Sequence, residues 1–322
     1  MIISASRRTD IPAFYSPWLM NRVRAGYFYR VNPFNSRQVS GFSLRPEHVD
    51  AFCFWSKNPR PLLEHLDELD RSGYRYFFQF TLNGYDHHFE PYLPPLAERI
   101  ETFRELSKRV GPHRVAWRYD PVVLTSVTPV AWHLAQIERL AAALCGSTGR
   151  LVFSAYDRYG RGQGRLHALL QRVGIRLYDL RAEEHAAEFS LLTEGIRAIA
   201  DRYGLRACTC NEEWDLSELG IDRGACIDGR LIRELCGREV SLAKDKNQRN
   251  ACNCVASVDM GMYNSCRFGC SYCYATPRPS QVAGNLVRHD PQSPALLGHY
   301  DEGLEIRTSL YPCRDNRQTS LF

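Results

Sequence analysis

The chain predicts an α/β fold, a partial or circularly permuted (β/α) TIM-like barrel with a cysteine-rich region toward its C-terminus. Three observations carry that expectation. Over about the first two hundred residues, strand-like runs rich in β-branched and aromatic side chains alternate with helix-like stretches, the pattern of a parallel sheet. After about residue 211, Gly, Asp, Asn, Arg and Cys dominate and regular patterns shorten. The twelve cysteines are uneven, because only Cys53 and Cys145 precede residue 200.

The expected strands are 1–6, 27–32, 51–56, 74–82, 114–120, 150–157 and 205–210. Helices are expected near 60–71, 94–110, 129–145, 164–173 and 184–203. The last of these places Ala187, Phe189, Leu191, Ile196 and Ile199 toward one broad apolar side. The residues 256–264 read as a further strand, just before the densest cysteine run. In a permuted barrel that strand packs beside residues 2–6, which is cheap because chain termini often lie close together. The expected organisation is a barrel-like domain over 1–211, a cysteine-rich region over 212–275 that completes it, and an extension and tail over 276–322, partly extended over the surface.

Composition narrows the class. With 322 residues, 44% of them hydrophobic, a sizeable core is expected and global disorder is not. No apolar run approaches bilayer length, and MIISASRRTD has its arginines after its apolar residues, the wrong order for a signal peptide. Twelve cysteines without an export signal therefore point to metal rather than disulfides, and to a cytoplasmic protein with no membrane partner. The net charge of +5 is compatible with a nucleic-acid partner and equally with an ordinary enzyme. Cys53 and Cys145 read as buried structural thiols.

The run YNSCRFGCSYCYAT spaces Cys266, Cys270 and Cys273 as C-x3-C-x2-C, with Tyr272 before the last. Three thiolates on one short loop can hold three irons of a 4Fe–4S cluster and leave the fourth without a protein ligand. An open coordination position is what a catalytic metal site needs. Zinc favours paired C-x2-C units, and Cys266 to Cys270 is one residue too wide for a simple knuckle. A second set precedes the loop. Cys210, Cys226, Cys252 and Cys254 are expected to ligate an auxiliary 4Fe–4S cluster, with four-cysteine zinc as the rival. Cys208 is the alternative to Cys210, on the expectation that strand alternation separates the two. Cys236 reads as packing, and Cys313 is isolated.

The C-x3-C-x2-C loop with an aromatic before its third cysteine resembles the signature of the radical S-adenosylmethionine (radical SAM) superfamily. That resemblance implies a SAM-binding 4Fe–4S cluster, S-adenosyl-L-methionine as cofactor, an external electron donor, and hydrogen abstraction by a 5′-deoxyadenosyl radical. The stretches SASRRTDIPAFY, FWSKNP, CNEEWDLSELGIDRGACIDGRLI, KDKNQRNACNC and SVDMGMYNSCRFGCSYCYA resemble a bacterial family of unknown function with such a cluster near the C-terminal end. This likeness supports the choice of Cys210, Cys226, Cys252 and Cys254 and implies no substrate. WRYDPV is similar to an Arg-x-Asp-Pro segment of spore photoproduct lyase, which repairs a thymine lesion in DNA.

Barrel enzymes place reacting groups at the C-terminal ends of strands. Those ends offer Ser6, Arg7, Arg8, Thr9 and Asp10, then Asn32, Asn35, Lys57, Asn58, Gln79, Thr81, Arg118, Asp120, Tyr156 and Asp157. Arg118 suits the SAM carboxylate and Asp120 its ribose hydroxyls, with Ser6 and Arg7 as further cofactor contacts and Arg118, Asp120 and Tyr156 as catalytic candidates. A structural ion pair between Arg118 and Asp120 is the other reading. Arg7, Arg8 and Lys57 suit phosphates if the substrate is nucleic acid. His87 and His88, in GYDHHFE, read as loop or substrate contacts. The terminal RQTSLF resembles the peptide with which bacterial polymerases and repair proteins dock on the sliding clamp, through Gln318, Ser320, Leu321 and Phe322.

The expectation is thus a radical SAM enzyme, with DNA repair or nucleic-acid modification as its substrate class. The alternatives are a radical SAM enzyme acting on a peptide or small metabolite, and a non-catalytic iron–sulfur or zinc protein.

Overall fold

A computed structural model gives the architecture and describes residues 1–33, 35–157, 163–237, 239–300, 303 and 305–308. The chain opens with β1 (Ile2–Ala5), α1 (Ile11–Phe14) and α2 (Ser16–Ala25), then the hairpin β2 (Tyr27–Asn32) and β3 (Asn35–Ser43). Next come β4 (Ala51–Ser56), α3 (Arg60–Leu63), α4 (Leu66–Arg71), β5 (Tyr76–Thr81), α5 (Leu96–Val110) and β6 (Val115–Val122). After these follow α6 (Val130–Ala143), β7 (Arg150–Ala155), α7 (Gln163–Arg172), α8 (Ala186–Arg202), β8 (Arg206–Thr209) and β9 (Asp222–Arg223). The chain ends with α9 (Gly229–Cys236), β10 (Val258–Asp259), α10 (Ser280–Val287) and β11 (Ile306–Arg307). No helix among the described residues is long and apolar enough to cross a membrane.

Eight strands form one parallel sheet in the order β10-β1-β4-β5-β6-β7-β8-β9. Its edges, β10 and β9, are not joined by a ladder among the described residues. β10 lies beside β1 with Ile3 opposite Val258 and Ser4 opposite Asp259. The expected adjacency of the late strand and the N-terminal strand therefore holds, although only Val258–Asp259 of the run is strand.

Side-chain alternation divides the sheet into two faces. Phe52, Phe54, Tyr76, Phe78, Trp117, Tyr119, Leu151 and Phe153 point to one of them. There they meet Phe103 and Leu106 of α5, Ile137 and Leu140 of α6, and Leu192, Ile196 and Ile199 of α8, all buried in the main core. Ile2, Ala51, Cys53 and Phe77 point the other way. Among the described residues, no crossover helix contributes a side chain to the apolar cluster on that face. Instead Ile227, Ile232, Val240 and Val255, from the cysteine-rich segment, pack on it. Burial on both faces explains why these strands read as nearly continuous apolar runs.

Several sequence expectations need correction. The run 27–32 is a strand, but it pairs antiparallel with β3 in a separate three-stranded sheet with β11. Asn32 and Asn35 are thereby removed from the strand ends of the main sheet; Asn32 Nδ2 donates to Gln38 Oε1 at 2.7 Å. The helix expected over 60–71 is two short helices, α3 and α4, because the chain turns at Glu64 and His65. On α8, Leu191 is 55% exposed and Leu192 takes the core position. Cys145 lies beyond the end of α6 and is exposed rather than buried. In the extension, Ala295, Leu296 and Leu297 are buried, and Trp18 Nε1 donates to the Ser293 carbonyl at 2.9 Å, so this part is packed rather than draped.

Candidate active site at the strand ends

At the C-terminal ends of β1 and β4–β8 lies a cavity of about 320 Å³. Open parallel sheets bind ligands at this end of the strands. Cys266, Cys270 and Cys273 line it, and so do Cys210, Cys226, Cys252 and Cys254. Ser6, Arg7, Arg118, Asp120 and Tyr156 line it as well, so every residue singled out for metal, cofactor or catalysis reaches one chamber. Thr9, Asp10, Lys57, Thr81 and Asp157 are also on its wall. Asn58 and Gln79 are not lining residues; Gln79 Nε2 instead donates to the Cys226 carbonyl at 2.8 Å. The expected clamp-docking residues Gln318, Ser320, Leu321 and Phe322, with Cys313, lie outside the described residues.

The first cysteine loop is held from behind by buried polar groups. Tyr272 donates its hydroxyl proton to Glu90 Oε1. Lys57 Nζ donates to the same oxygen at 2.8 Å, and Arg99 Nη1 to Glu90 Oε2 at 3.3 Å. Glu90 is 4% exposed, so two cations and a phenol surround one buried carboxylate. In GYDHHFE the histidines attracted attention, but the exposed His88 ring faces Asp86 while the buried acid three residues after His87 does the anchoring. Lys57, although on the wall, already has its ammonium paired with Glu90, so it is not a free cation for the phosphate role considered for it. Ser271 N–H donates to the Phe89 carbonyl at 2.9 Å, and Arg165 of α7 donates to the carbonyls of Ser271 and Thr276 at 3.2 and 2.9 Å. Burial pushes the Cys266 thiol well above its ordinary pKa and the Cys270 thiol up to about 12, with the Lys57 ammonium opposing the rise at Cys270. An incoming metal cation would have to offset that cost before either sulfur ionised.

The second cysteine set is assembled from distant segments. Cys210 and Cys226 bring their sulfurs to 2.9 Å, and Ile227 N–H points at Cys254 Sγ at 3.4 Å. Arg118 Nη1 donates to Cys226 Sγ at 2.8 Å, and Nη2 to Asp120 Oδ2. Cys210 is pulled below the ordinary thiol pKa by a hydrogen bond from Cys226 and then by Arg118. Cys254 is lowered by hydrogen bonds from Cys226 and Cys252 and then by Arg7. Cys208 is also a buried residue, with Arg150 Nε 3.4 Å from its sulfur. It packs with Ala116 and Val152, and Cys210 contacts the same cluster. The expected separation by alternation fails, since residues two apart in a strand share a face. Depth separates them instead: Cys208 is inside β8 and Cys210 is just past its end.

Asp259 joins the two ends of the chain, and sequence reasoning missed it. Its carboxylate accepts from Ser4 Oγ at 3.1 Å, Ser6 Oγ at 2.6 Å, and the backbone N–H groups of Arg7 and Gly261 at 3.0 and 2.9 Å. The only sequence signal for it was an acid inside the strand-like run 256–264. Gly261 is required here, because a Cβ would stand 2.0 Å from Ser6 Oγ. At the rim, Arg8 faces Asp259 at 3.8 Å, Arg181 faces Glu212 at 2.9 Å, and Arg249 faces Asp157 at 2.5 Å. The rim cations are thus opposed by the protein's own carboxylates, an arrangement that does little to favour phosphate contacts.

Residues 2–275 match the family described as a domain of unknown function (DUF1848). The chain belongs to that family. No curated protein and no solved structure matches it. Membership in DUF1848 carries no assigned activity, so the chemistry has to be argued from the cavity.

The cysteine donors fit iron–sulfur chemistry in kind. All seven wall residues are free thiols. Four buried polar atoms without a hydrogen-bond partner also belong to lining residues: Arg7 Nη2, Thr9 Oγ1, Trp55 Nε1 and Asn211 Oδ1. Orphaned buried polar groups signal a missing ligand or water. Among the described residues, no three His, Cys, Asp or Glu side chains converge on a single metal ion. A cubane asks for a different arrangement, one thiolate on each iron, and Cys210 and Cys226 would have to move apart to provide it.

Proposed function

We propose that the protein is a radical SAM enzyme, with a 4Fe–4S cluster held by Cys266, Cys270 and Cys273 and an auxiliary cluster held by Cys210, Cys226, Cys252 and Cys254. The observation that carries this reading is that both cysteine sets line one chamber at the C-terminal ends of parallel strands. We read the eight-stranded sheet as a partial, permuted barrel whose first cysteine loop directly follows its edge strand β10. When bound, a three-cysteine cluster supplies an open iron for SAM and the electron that cleaves it to methionine and a 5′-deoxyadenosyl radical.

The chain's own residues do the rest. Glu90, with Lys57 and Arg99, fixes Tyr272 and hence the loop that carries the three thiols. Phe268, Tyr85 and Phe89 share a buried apolar cluster with Cys270. Ser6 and Arg118 serve the frame, since Ser6 donates to Asp259 and Arg118 to Cys226 and Asp120. Asp120, whose Oδ1 accepts from Ser154, and Tyr156 remain on the wall to receive SAM or substrate.

The test is anaerobic reconstitution with iron and sulfide, followed by reduction with SAM and assay for 5′-deoxyadenosine. Product that vanishes in Cys266→Ala, Cys270→Ala and Cys273→Ala variants is the expected result. A fully loaded protein that makes no 5′-deoxyadenosine with any of several low-potential reductants would refute the reading.

A further inference from the structure

Among the described residues, the strand-end chamber contains two side-chain N–H donors that the frame does not use. Arg7 Nη2 and Trp55 Nε1 are both buried and both lack a partner. The Arg7 guanidinium lies over the Trp55 ring, 5.5 Å from its centroid, and that of Arg118 lies over the same ring at 5.1 Å. Trp55 itself packs against the apolar cluster that contains Cys226, Cys252 and Cys254. Arg118 Nη1 also donates to Cys226 Sγ at 2.8 Å. Two guanidiniums and an indole N–H therefore gather at the four-cysteine set. The first cysteine loop faces the Lys57 ammonium, already bound to Glu90.

Arg118 already has Asp120 as its ion-pair partner, so beside neutral thiols it is Arg7 that would be poorly placed, because a buried charge is costly unless it is compensated. Beside four thiolates and their inorganic sulfides the same groups are well placed. Donors aimed at sulfur stabilise added negative charge, and such hydrogen bonds are among the factors that set the potential of an iron–sulfur cluster. We infer that Arg7 and Trp55 donate N–H···S hydrogen bonds to an iron–sulfur cluster at Cys210, Cys226, Cys252 and Cys254, and so make it the more easily reduced of the two clusters in this chamber. The inference rests on the auxiliary-cluster half of the proposed function. It extends that reading by giving the second site a function in redox poise rather than in structure alone.

The experiment uses the full chain reconstituted with iron and sulfide and titrated by redox potentiometry with electron paramagnetic resonance. The signal that persists in the Cys266→Ala/Cys270→Ala/Cys273→Ala protein identifies the second site. Trp55→Phe keeps an aromatic ring beneath the two guanidiniums and removes the N–H together with the smaller ring of the indole. Arg7→Lys keeps the charge and removes the planar donors. Each should lower the midpoint of that signal, by enough to cut the reduced-to-oxidised ratio at fixed poise about tenfold, while the other cluster keeps its midpoint. Iron retained with an unshifted midpoint in both variants would overturn the inference and leave the auxiliary cluster standing. Zinc in place of iron at the second site would overturn both. If Arg7→Lys fails to load, Trp55→Phe alone decides.

Discussion

Cys266, Cys270 and Cys273 reach the chamber on one short loop, whereas Cys210, Cys226, Cys252 and Cys254 come from the end of β8, the stretch after β9, and the run just before β10. The two sets differ in support as well as in origin. The loop is backed by one buried carboxylate with two cations and a phenol around it. The assembled set sits in an apolar layer on the sheet, with Arg7 and Arg118 as its charged neighbours. A locally encoded site can lose its metal and leave the fold standing. A site that gathers distant segments is part of what holds those segments together.

That contrast is open to direct tests. The largest effect is expected from alanine at the cysteines themselves. Changing Cys266 or Cys273, which are only half-buried, should abolish 5′-deoxyadenosine formation with little change in the unfolding midpoint of the apoprotein. Changing Cys226 or Cys254 should lower the stability as well, by about 1–3 kcal/mol from lost packing alone. Equal stability losses in both sets, measured by denaturant unfolding, would erase the distinction.

Next in size is Glu90→Gln. It leaves the Lys57 and Arg99 charges buried without their shared carboxylate, and removing one partner of a buried ion pair costs about 3–5 kcal/mol. A drop below about 1 kcal/mol would mean that the anchor behind Tyr272 is dispensable.

A pH effect should follow on the loop's side of the molecule. His133 is buried in the main core, with Nδ1 at 2.8 Å from the Tyr119 hydroxyl and Nε2 at 3.1 Å from the Val123 carbonyl. Its ring stacks edge-on to Tyr85, which in turn meets Tyr272. Desolvation lowers its pKa from 6.5 to about 4. Because the folded value lies below the unfolded one, the associated stability is present above pH 6.5 and is lost as pH falls toward 4, about 3 kcal/mol in all. His133→Gln should flatten the stability profile in that window; an unchanged profile would assign the acid sensitivity to other groups.

The smallest effect is expected for Asp259→Asn. Two hydroxyls and two backbone N–H groups converge on this carboxylate, and its neutralisation should cost about 1–3 kcal/mol. Hydrogen exchange should show the loss at Ser4–Arg7 and Gly261. Unchanged protection there would contradict the role of Asp259 in joining the chain ends.

The sequence made the local features legible and the assembled ones less so. Spacing alone identifies the Cys266–Cys273 loop, and apolar runs locate β4, β5 and β7 because both of their faces are buried. The hairpin of β2 and β3 defeated that reasoning, since a strand-like run does not say which sheet it joins. Glu90 and Asp259 gave little signal of their importance, because Tyr272 and Ser6, which they hold, are distant in the chain and meet them only on folding. The short helix α1 went unread, although Asp10 caps it by accepting from Ala13 N–H, the kind of capping signal that a sequence can show.

The inner face of the sheet is covered by the stretch that runs from Cys226 to Val255, and its edge is completed by β10 beside β1. This arrangement imposes an order on biosynthesis. While the chain is still emerging, β1 waits with an open edge and the apolar inner face is exposed to whatever chaperones attend the nascent chain. The chamber does not exist until the ribosome has passed Cys273. Any cofactor it takes must therefore be delivered after nearly the whole family domain has been synthesised, by a machinery that meets an almost finished protein.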